Sequence, residues 1–594
     1  MSGLVVAVAA TFPLVAHPLD HLPGAAMAGG LSHAWRAWWT WIAVAVRHEN
    51  PAWTDLLNFP AGFPVGFHLG NVLDVLLVLP ITGIAGPVAS AVAWCLGSLA
   101  LSTWAAAWLG HRTGLPAPIA VLAGLLWAFA PHHLAFLMGG AYENLASPFL
   151  PLLLVALLDL LDPDLPAGVL GRAGRAAGVA GCLFGLSLTV WFSGLVAGLL
   201  AGLVVAALLT VHRRAVLPGA AWALAGLAVG AAVTWAASRV LLPIVPSPLG
   251  RMTVRSAPMD SLCRAWLHGL PVDAVLPSGM LWLNHHVLGG VAVLALLGAM
   301  SRKGRFWLLL AVPFLLDAAL PETWLNGSFQ TPAILRGVKP HLQTLLGSGE
   351  RRLFPLHLAL ALAAGHGLAW GLHRIRASLR VTRAAVLLAL VAWVAEQRLL
   401  GPIPLPVPCF EARTGAWTAE VARGPAGAVL DVPILLEGSG VPGWVVKGIH
   451  SRYMFDQTAH GRPIFTATGS RFVMNERQLP VQDPLVRALL PFGRGVLAAR
   501  TGPVEDLPGA PQDRRGPWNR ATAGWTPAGL QAAGYAWVVL HEALLDPWDA
   551  TFLEAALEDL LGPPLAPGEG VLLFGVPDPG PHEPIVVAPG RKGR

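Results

Sequence analysis

Three carboxylates in this chain stand where an ionised group is costly or unusually placed. Asp20 closes the run His17-Pro-Leu-Asp20-His21, directly after an apolar N-terminal stretch. Asp74 lies inside the apolar segment 71–84, where a charge is expensive unless it faces a cavity. Glu143 sits in Gly140-Ala-Tyr-Glu-Asn-Leu, a short way past the adjacent histidines His132 and His133. Glu143 reads as a second acid or, with the histidines, as part of a divalent-metal site. Neighbouring histidines at a helix end point in different directions, so a shared metal needs a ligand from elsewhere, and a solvated loop explains the same residues. Glu350 with Arg351 and Arg352 reads as a phosphate clamp or equally as a polar helix end. Asp456, His460 and Arg462 could contact a glycan or could belong to a solvated loop.

The elements that must position these groups are apolar helices. The chain has 594 residues, 55% hydrophobic and only 12% charged, with 24 Trp against 3 Tyr, and a mean hydropathy of +0.60. Soluble proteins carry about 25% charged residues, so lipid must solvate much of this surface. The formal charge of +6 falls in short clusters between apolar segments, which excludes a nucleic-acid footprint. No P-loop, dinucleotide fingerprint or nucleophile elbow is present.

About eleven transmembrane helices are expected. The first is 2–16, read as an uncleaved span. The rest are 87–109, 117–131, 146–161, 176–190, 193–211, 218–241, 287–300, 306–320, 353–372 and 383–399. With the N-terminus inside, His111-Arg112, Arg172 with Arg175, His212-Arg213-Arg214, Arg302-Lys303 with Arg305, and Arg374, Arg376 and Arg380 all fall on the cytoplasmic side. The outer side then receives 17–86, 132–145, 242–286 and 321–352. Segment 71–84 is too short to span and reads as interfacial or re-entrant. The expected domains are a transmembrane part, 1–400, with a long first external loop (17–86), and an extracytoplasmic α/β domain, 401–594, opened by a Pro-rich exit. Cys263 and Cys409 both fall outside, as a disulfide or as two free thiols.

In the first loop, Trp35, Trp38, Trp39 and Trp41, with Arg36, suit an amphipathic helix lying at the membrane surface. A sharper reading makes that helix the frame of a cavity onto which Asp20, Asp55 and Asp74 project. This Trp run, the following Asn50-Pro-Ala-Trp-Thr-Asp-Leu-Leu-Asn-Phe-Pro-Ala-Gly62, and an apolar stretch ending in Leu-Pro resemble bacterial membrane proteins of the GT-C glycosyltransferase superfamily. The likeness continues at Trp127-Ala-Phe-Ala-Pro-His-His, at Gly140-Ala-Tyr-Glu-Asn-Leu and at Gly349-Glu-Arg-Arg-Leu-Phe. It reaches Leu430-Asp-Val-Pro and Tyr453 to Pro463 in the last third.

The resemblance implies an enzyme of the bacterial inner membrane and cell envelope. It would transfer a sugar from a polyprenyl-phosphate donor to a glycan or protein acceptor on the outer face. A carboxylate early in the first external loop would accept the acceptor's proton, which points first to Asp20 and then to Asp74 and Glu143. Arg251, Arg255, Arg336, Arg351 and Arg352 would hold the departing phosphate, with Glu350, His132 and His133 as further substrate contacts. Related chains usually show a Gly-Asp pair a few residues before the first Trp of the run, whereas this one reads Ala28-Gly-Gly-Leu-Ser-His-Ala-Trp. That departure keeps a second reading open, a non-catalytic protein that binds or presents a lipid-linked glycan. A transporter or flippase is a third, disfavoured by the scarcity of charge inside the spans and by the lack of paired interrupted helices.

Overall fold

The computed structural model describes residues 2–241 with breaks at 26–28, 61, 64, 66–71, 146, 163, 166–167 and 190. It further describes 289–319, 354–400, 404–435, 443–465, 484–489, the single residues 492, 518 and 522, and 525–577 except 569. Two compact units emerge, each discontinuous in sequence: Met1–His48 with Gly66–Ala412, and Glu49–Val65 with Arg413–Arg594.

The first unit is helical. Its opening helix α1 (Ser2–Ala10) is cut short because Pro13 cannot donate a helical hydrogen bond, so the expected span 2–16 is a nine-residue helix and a turn at Leu14–Ala16. The helix α2 (Gly30–Trp41) packs on α3 (Val72–Arg112), whose 41 residues are broken at Gly86, where φ is +87°. The break leaves 72–85 as a piece about 21 Å long, short of a bilayer's ~30 Å, and the next piece begins at 87 as the sequence leads one to expect. Then come α4 (Ala117–Ala128), α5 (Pro131–Met138), α6 (Phe149–Leu161) and α7 (Val169–Thr189). The helical stretch α8 (Trp191–Leu241) folds back on itself: Leu183 packs against both Gly198 and Gly230, which a straight helix would hold about 48 Å apart. The unit ends with α9 (Gly289–Gly298), α10 (Arg302–Ala319), α11 (Phe354–Arg374) and α12 (Leu379–Leu400).

Among the described residues, four helices are long and apolar enough to cross a bilayer: Val72–Arg112, Tyr142–Leu161, Val216–Ala237 and Phe354–Arg374. The pair α4 and α5, bent by 41°, makes a fifth if taken as one span. Of the other expected spans, α9 is only ten residues long, and α10 and α12 each carry several charges.

Basic side chains gather at one end of this bundle. Arg112 reaches from the end of α3 to Asp159 (2.5 Å) and Asp162 (2.6 Å) at the end of α6, and Arg175 donates to the Asp159 carbonyl. Lys303 lies against Gly114. Elsewhere in the unit a two-stranded antiparallel ladder forms between β1 (His21–Pro23) and β2 (Cys409–Glu411). It is continued by Val407 N–H donating to the Ala10 carbonyl. Cys409 carries a free thiol, and Cys263 lies outside the described residues.

The second unit is built on a mixed four-stranded sheet in the order β3-β4-β6-β5. Its strands are β3 (Ala428–Val432), β4 (Tyr535–His541), β5 (Ala566–Gly568) and β6 (Val571–Gly575). Strands β3 and β4 are parallel and the other two pairings antiparallel. Helices α13 (Trp417–Arg423), α14 (Gly443–His460), α15 (Pro484–Leu489), α16 (Pro527–Ala532) and α17 (Pro547–Leu561) accompany the sheet.

The segment Glu49–Val65, part of the expected first external loop, belongs to this unit. Thr54 and Phe63 exchange backbone hydrogen bonds, and the side chain of Asn58 donates to the Gly62 carbonyl, closing a compact loop. That loop joins the sheet edge. The Leu56 carbonyl accepts from Ile464 N–H (2.8 Å) and from Gln457 Nε2 (2.6 Å), Phe59 N–H donates to Ile464, and Ile464 bridges to Val429 of β3.

Candidate functional site

The contact of α2 with α3 creates the most unusual electrostatic feature of the first unit. Trp35 and Trp39 stack at 6.4 Å and are fully buried, and Trp41 lies on Gly83. Half of the expected surface anchors are therefore packing residues, placed four apart on one stripe of α2. A different stripe, shared with Trp41, carries His33, whose Nδ1 stands 3.8 Å from Asp74 Oδ2, with both side chains buried. That separation is too long for a hydrogen bond. The Asp74 carboxylate also faces the amides of its own first helical turn, yet neither oxygen has a partner at hydrogen-bond geometry. Burial, with Arg36 as a second cause, pushes the His33 imidazole down to about 3, so it is neutral at physiological pH.

Tyr142 sits edge-on to His33 at 5.4 Å, and its hydroxyl donates to the Pro23 carbonyl at 2.5 Å. The hydroxyl also occupies the space above Gly30, where an added Cβ would collide with it. Gly140 crosses the backbone of Gly29 and Gly30 just as closely. The stretch that in related chains carries the Gly-Asp pair is thus closed to a side chain at position 30.

Glu143 follows Tyr142 and lines a small cavity with His132, His133, Asn144, Ser147 and Thr189. The bend between α4 and α5 delivers the histidines. Pro131 forces Ala130 into an extended conformation (φ −56°, ψ 147°), ending α4 and restarting the helix with His132 and His133 in its first turn. His132 stacks on His357 of α11 at 5.3 Å. The cavity has about 20 Å³ of free volume, room for roughly one water molecule. His132, His133 and Glu143 do not bring three ligand atoms together closely enough for one metal ion.

Asp20 is partly exposed and accepts from or pairs with His21 Nδ1 at 2.9 Å, with His17 Nδ1 at 3.9 Å. The expected contacts Arg251, Arg255, Arg336, Glu350, Arg351 and Arg352 lie outside the described residues. Asp55 falls in the second unit.

Of the polar residues singled out in the last third, Asp456 and His460 are not in a solvated loop, while Arg462 follows α14 and is half-buried. Asp456 and His460 belong to α14 and are buried, Asp456 pairing with Arg452 at 3.1 Å. Arg462 donates to the Gly424 carbonyl at 2.9 Å. Close by, His541 binds Asp431 at 3.0 Å and stacks on Tyr453 at 4.6 Å, a buried trio of which the sequence singled out Asp431, in Leu430-Asp-Val-Pro, and Tyr453. The approach of His33 to Asp74 had no local signal in the sequence, because it depends on how two helices meet.

No family model and no curated protein sequence matches the chain. Among solved structures it superposes on the arabinofuranosyltransferase AftD from Mycobacteria with a TM-score of 0.55 and 17% identity, covering 97% of this chain. The chain spans only 39% of the length of AftD. ArnT from Cupriavidus metallidurans gives a TM-score of 0.48 at 15% identity, covering 97% of each chain. The Archaeoglobus fulgidus oligosaccharyltransferase gives 0.44 at 12%, covering 91% of this chain and 69% of that one. The superposition on AftD, over nearly the whole chain, shows that this protein has a GT-C-like fold.

Proposed function

We propose that the protein is a membrane glycosyltransferase that moves a sugar from a polyprenyl-phosphate donor to an acceptor on the outer face. The observation that carries this reading is the convergence of Glu143, His132 and His133 on one cavity within a GT-C-like fold. Glu143 is the group placed to take the acceptor's proton, because it lines the cavity while Asp74 is fully buried outside it. The two histidines are the nearest donors for the phosphate or the sugar. Asp74 and His33 pack behind them, buried where α2 meets α3. A donor larger than one water must widen the cavity on entry. Solved neighbours of lower similarity include ArnT bound to undecaprenyl phosphate.

The test uses the full chain in liposomes with polyprenyl-phosphate sugars of several kinds, reading release of polyprenyl phosphate. Glu143→Gln lowers turnover by about two to four powers of ten while leaving the thermal midpoint in place. Unchanged turnover in Glu143→Gln and in Asp74→Asn would remove this site from the mechanism.

The packing at Gly30 favours one second reading, a non-catalytic protein that holds a lipid-linked glycan, since position 30 has no room for an acid. That reading expects donor binding with no release from any sugar tested.

A further inference from the structure

We propose that His17, Asp20 and His21 form a site for one divalent transition-metal ion. One imidazole nitrogen from each histidine and one carboxylate oxygen all lie within 4.8 Å of one another. The Asp20 oxygen is the hub, 2.9 Å from His21 Nδ1 and 3.9 Å from His17 Nδ1. The two imidazole rings face each other at 4.7 Å, tilted by 41°. Ligands bound to zinc at about 2.0–2.1 Å in a tetrahedron stand roughly 3.3 Å apart. Closing this group around an ion therefore needs side-chain shifts on the order of 1 Å and no movement of the backbone.

The backbone is already fixed for it. His21 N–H donates to the His17 carbonyl at 3.1 Å, closing the turn that brings the two histidines to one side. Ala412 N–H donates to the Asp20 carbonyl at 2.7 Å, and His21 is held in β1 opposite Glu411 of β2. Directly opposed residues of a ladder project to the same face, so Glu411 adds negative charge beside the site. Two imidazoles and one carboxylate are a donor set suited to zinc and its neighbours, and less suited to magnesium or calcium, which favour oxygen. Three protein ligands leave a position for water, and the partial exposure of all three residues gives the ion a way in. The bland alternative is a histidine–carboxylate hydrogen bond with a solvated second histidine; it does not require three ligand atoms to share one point. The site holds whether or not the chain transfers a sugar.

The experiment reads metal occupancy alone. The full chain, purified without a polyhistidine tag and stripped with chelator, is titrated with Zn2+ against a chromophoric competitor, and Co2+ is used to read ligand geometry from its visible bands. Wild type takes up one equivalent of Zn2+ with competitor-resistant affinity. His17→Ala and Asp20→Asn each weaken that uptake at least roughly tenfold, and the variant combining His17→Ala with His21→Ala loses it. His48→Ala leaves it unchanged. The thermal midpoint of each metal-free variant, compared with metal-free wild type, separates loss of the site from loss of the fold. Where a variant is unfolded, the Co2+ spectrum of wild type decides: nitrogen–oxygen coordination supports the site, and the spectrum of the aqueous ion overturns it. Equal Zn2+ affinity in wild type and the folded double variant, or no uptake by wild type, would also overturn it.

Discussion

At the scale of single residues, the account turns on how closely Gly30, Gly140 and Tyr142 pack. Any side chain at position 30 must displace the Tyr142 hydroxyl from its bond to Pro23. Gly30→Ala should therefore destabilise the protein by about 1–3 kcal/mol, a typical cost of overpacking, measured as a lower thermal midpoint. Tyr142→Phe in the same chain should recover part of that loss, because it removes the colliding oxygen. Gly30→Asp, which puts an acid into the stretch where the resemblance leads one to expect one, should fold worse than Gly30→Ala. If Gly30→Asp instead folded normally, the site would be open to an acid after all. Burial also sets a pH response. His460 is pushed down to about 3, first by burial and then by Arg462. The unfolded chain therefore binds a proton between 6.5 and 3 that the folded one does not, and stability falls as pH drops through 6.5. From pH 6.5 to 5 the loss is at most about 2 kcal/mol. Asp456 works the other way at lower pH, since burial raises its pKa and the folded state binds that proton first. The thermal midpoint should fall from pH 7 to pH 5, and by less in His460→Asn.

At the scale of elements, the link between the compact loop and the second unit's sheet is a clear consequence of side-chain chemistry. Gln457 Nε2 donates to the Leu56 and Arg462 carbonyls (2.6 and 2.7 Å), tying α14 to the loop of residues 49–65. Gln457→Leu removes one of the two hydrogen bonds to the Leu56 carbonyl and the one to the Arg462 carbonyl, and should cost about 1–3 kcal/mol, with faster amide exchange across 54–59. Unaltered exchange there would show the loop to be held by other contacts. This link also marks the limit of what the sequence tells. Hydropathy and basic clusters locate the helices well, because lipid solvation leaves a local signature in each segment. The break before Pro87 and the return between Gly198 and Gly230 were readable for that reason. Asn50 to Gly62 carries no local sign that it pairs with Ile464, some 400 residues later, since a β bridge is specified by both partners together. Trp35 and Trp39 mislead similarly: indoles suit a headgroup layer and a packed interface equally well. Among residues of the proposed site, Glu143, His132 and His133 stand near one another in the sequence, whereas the pairing of His33 with Asp74 depends on how two helices meet.

At the scale of the whole molecule, the gathering of Arg112, Arg175 and Lys303 is the physical basis for orientation. By the positive-inside rule we propose that this end faces the cytoplasm. Cysteine placed in the 301–305 turn should be shielded from an impermeant reagent in intact cells, while Glu420→Cys in the second unit should label. The reverse pattern would overturn the assignment of sides. The central claim, that a polyprenyl-phosphate sugar is handled at the Glu143 cavity, is tested most directly by a cryo-EM map of the full chain with undecaprenyl phosphate in a nanodisc. The account predicts phosphate density beside His132 and His133, with the cavity widened around it and the lipid tail running into the bilayer. A well-defined map with no lipid at that cavity, or with the phosphate bound at another site, would contradict it.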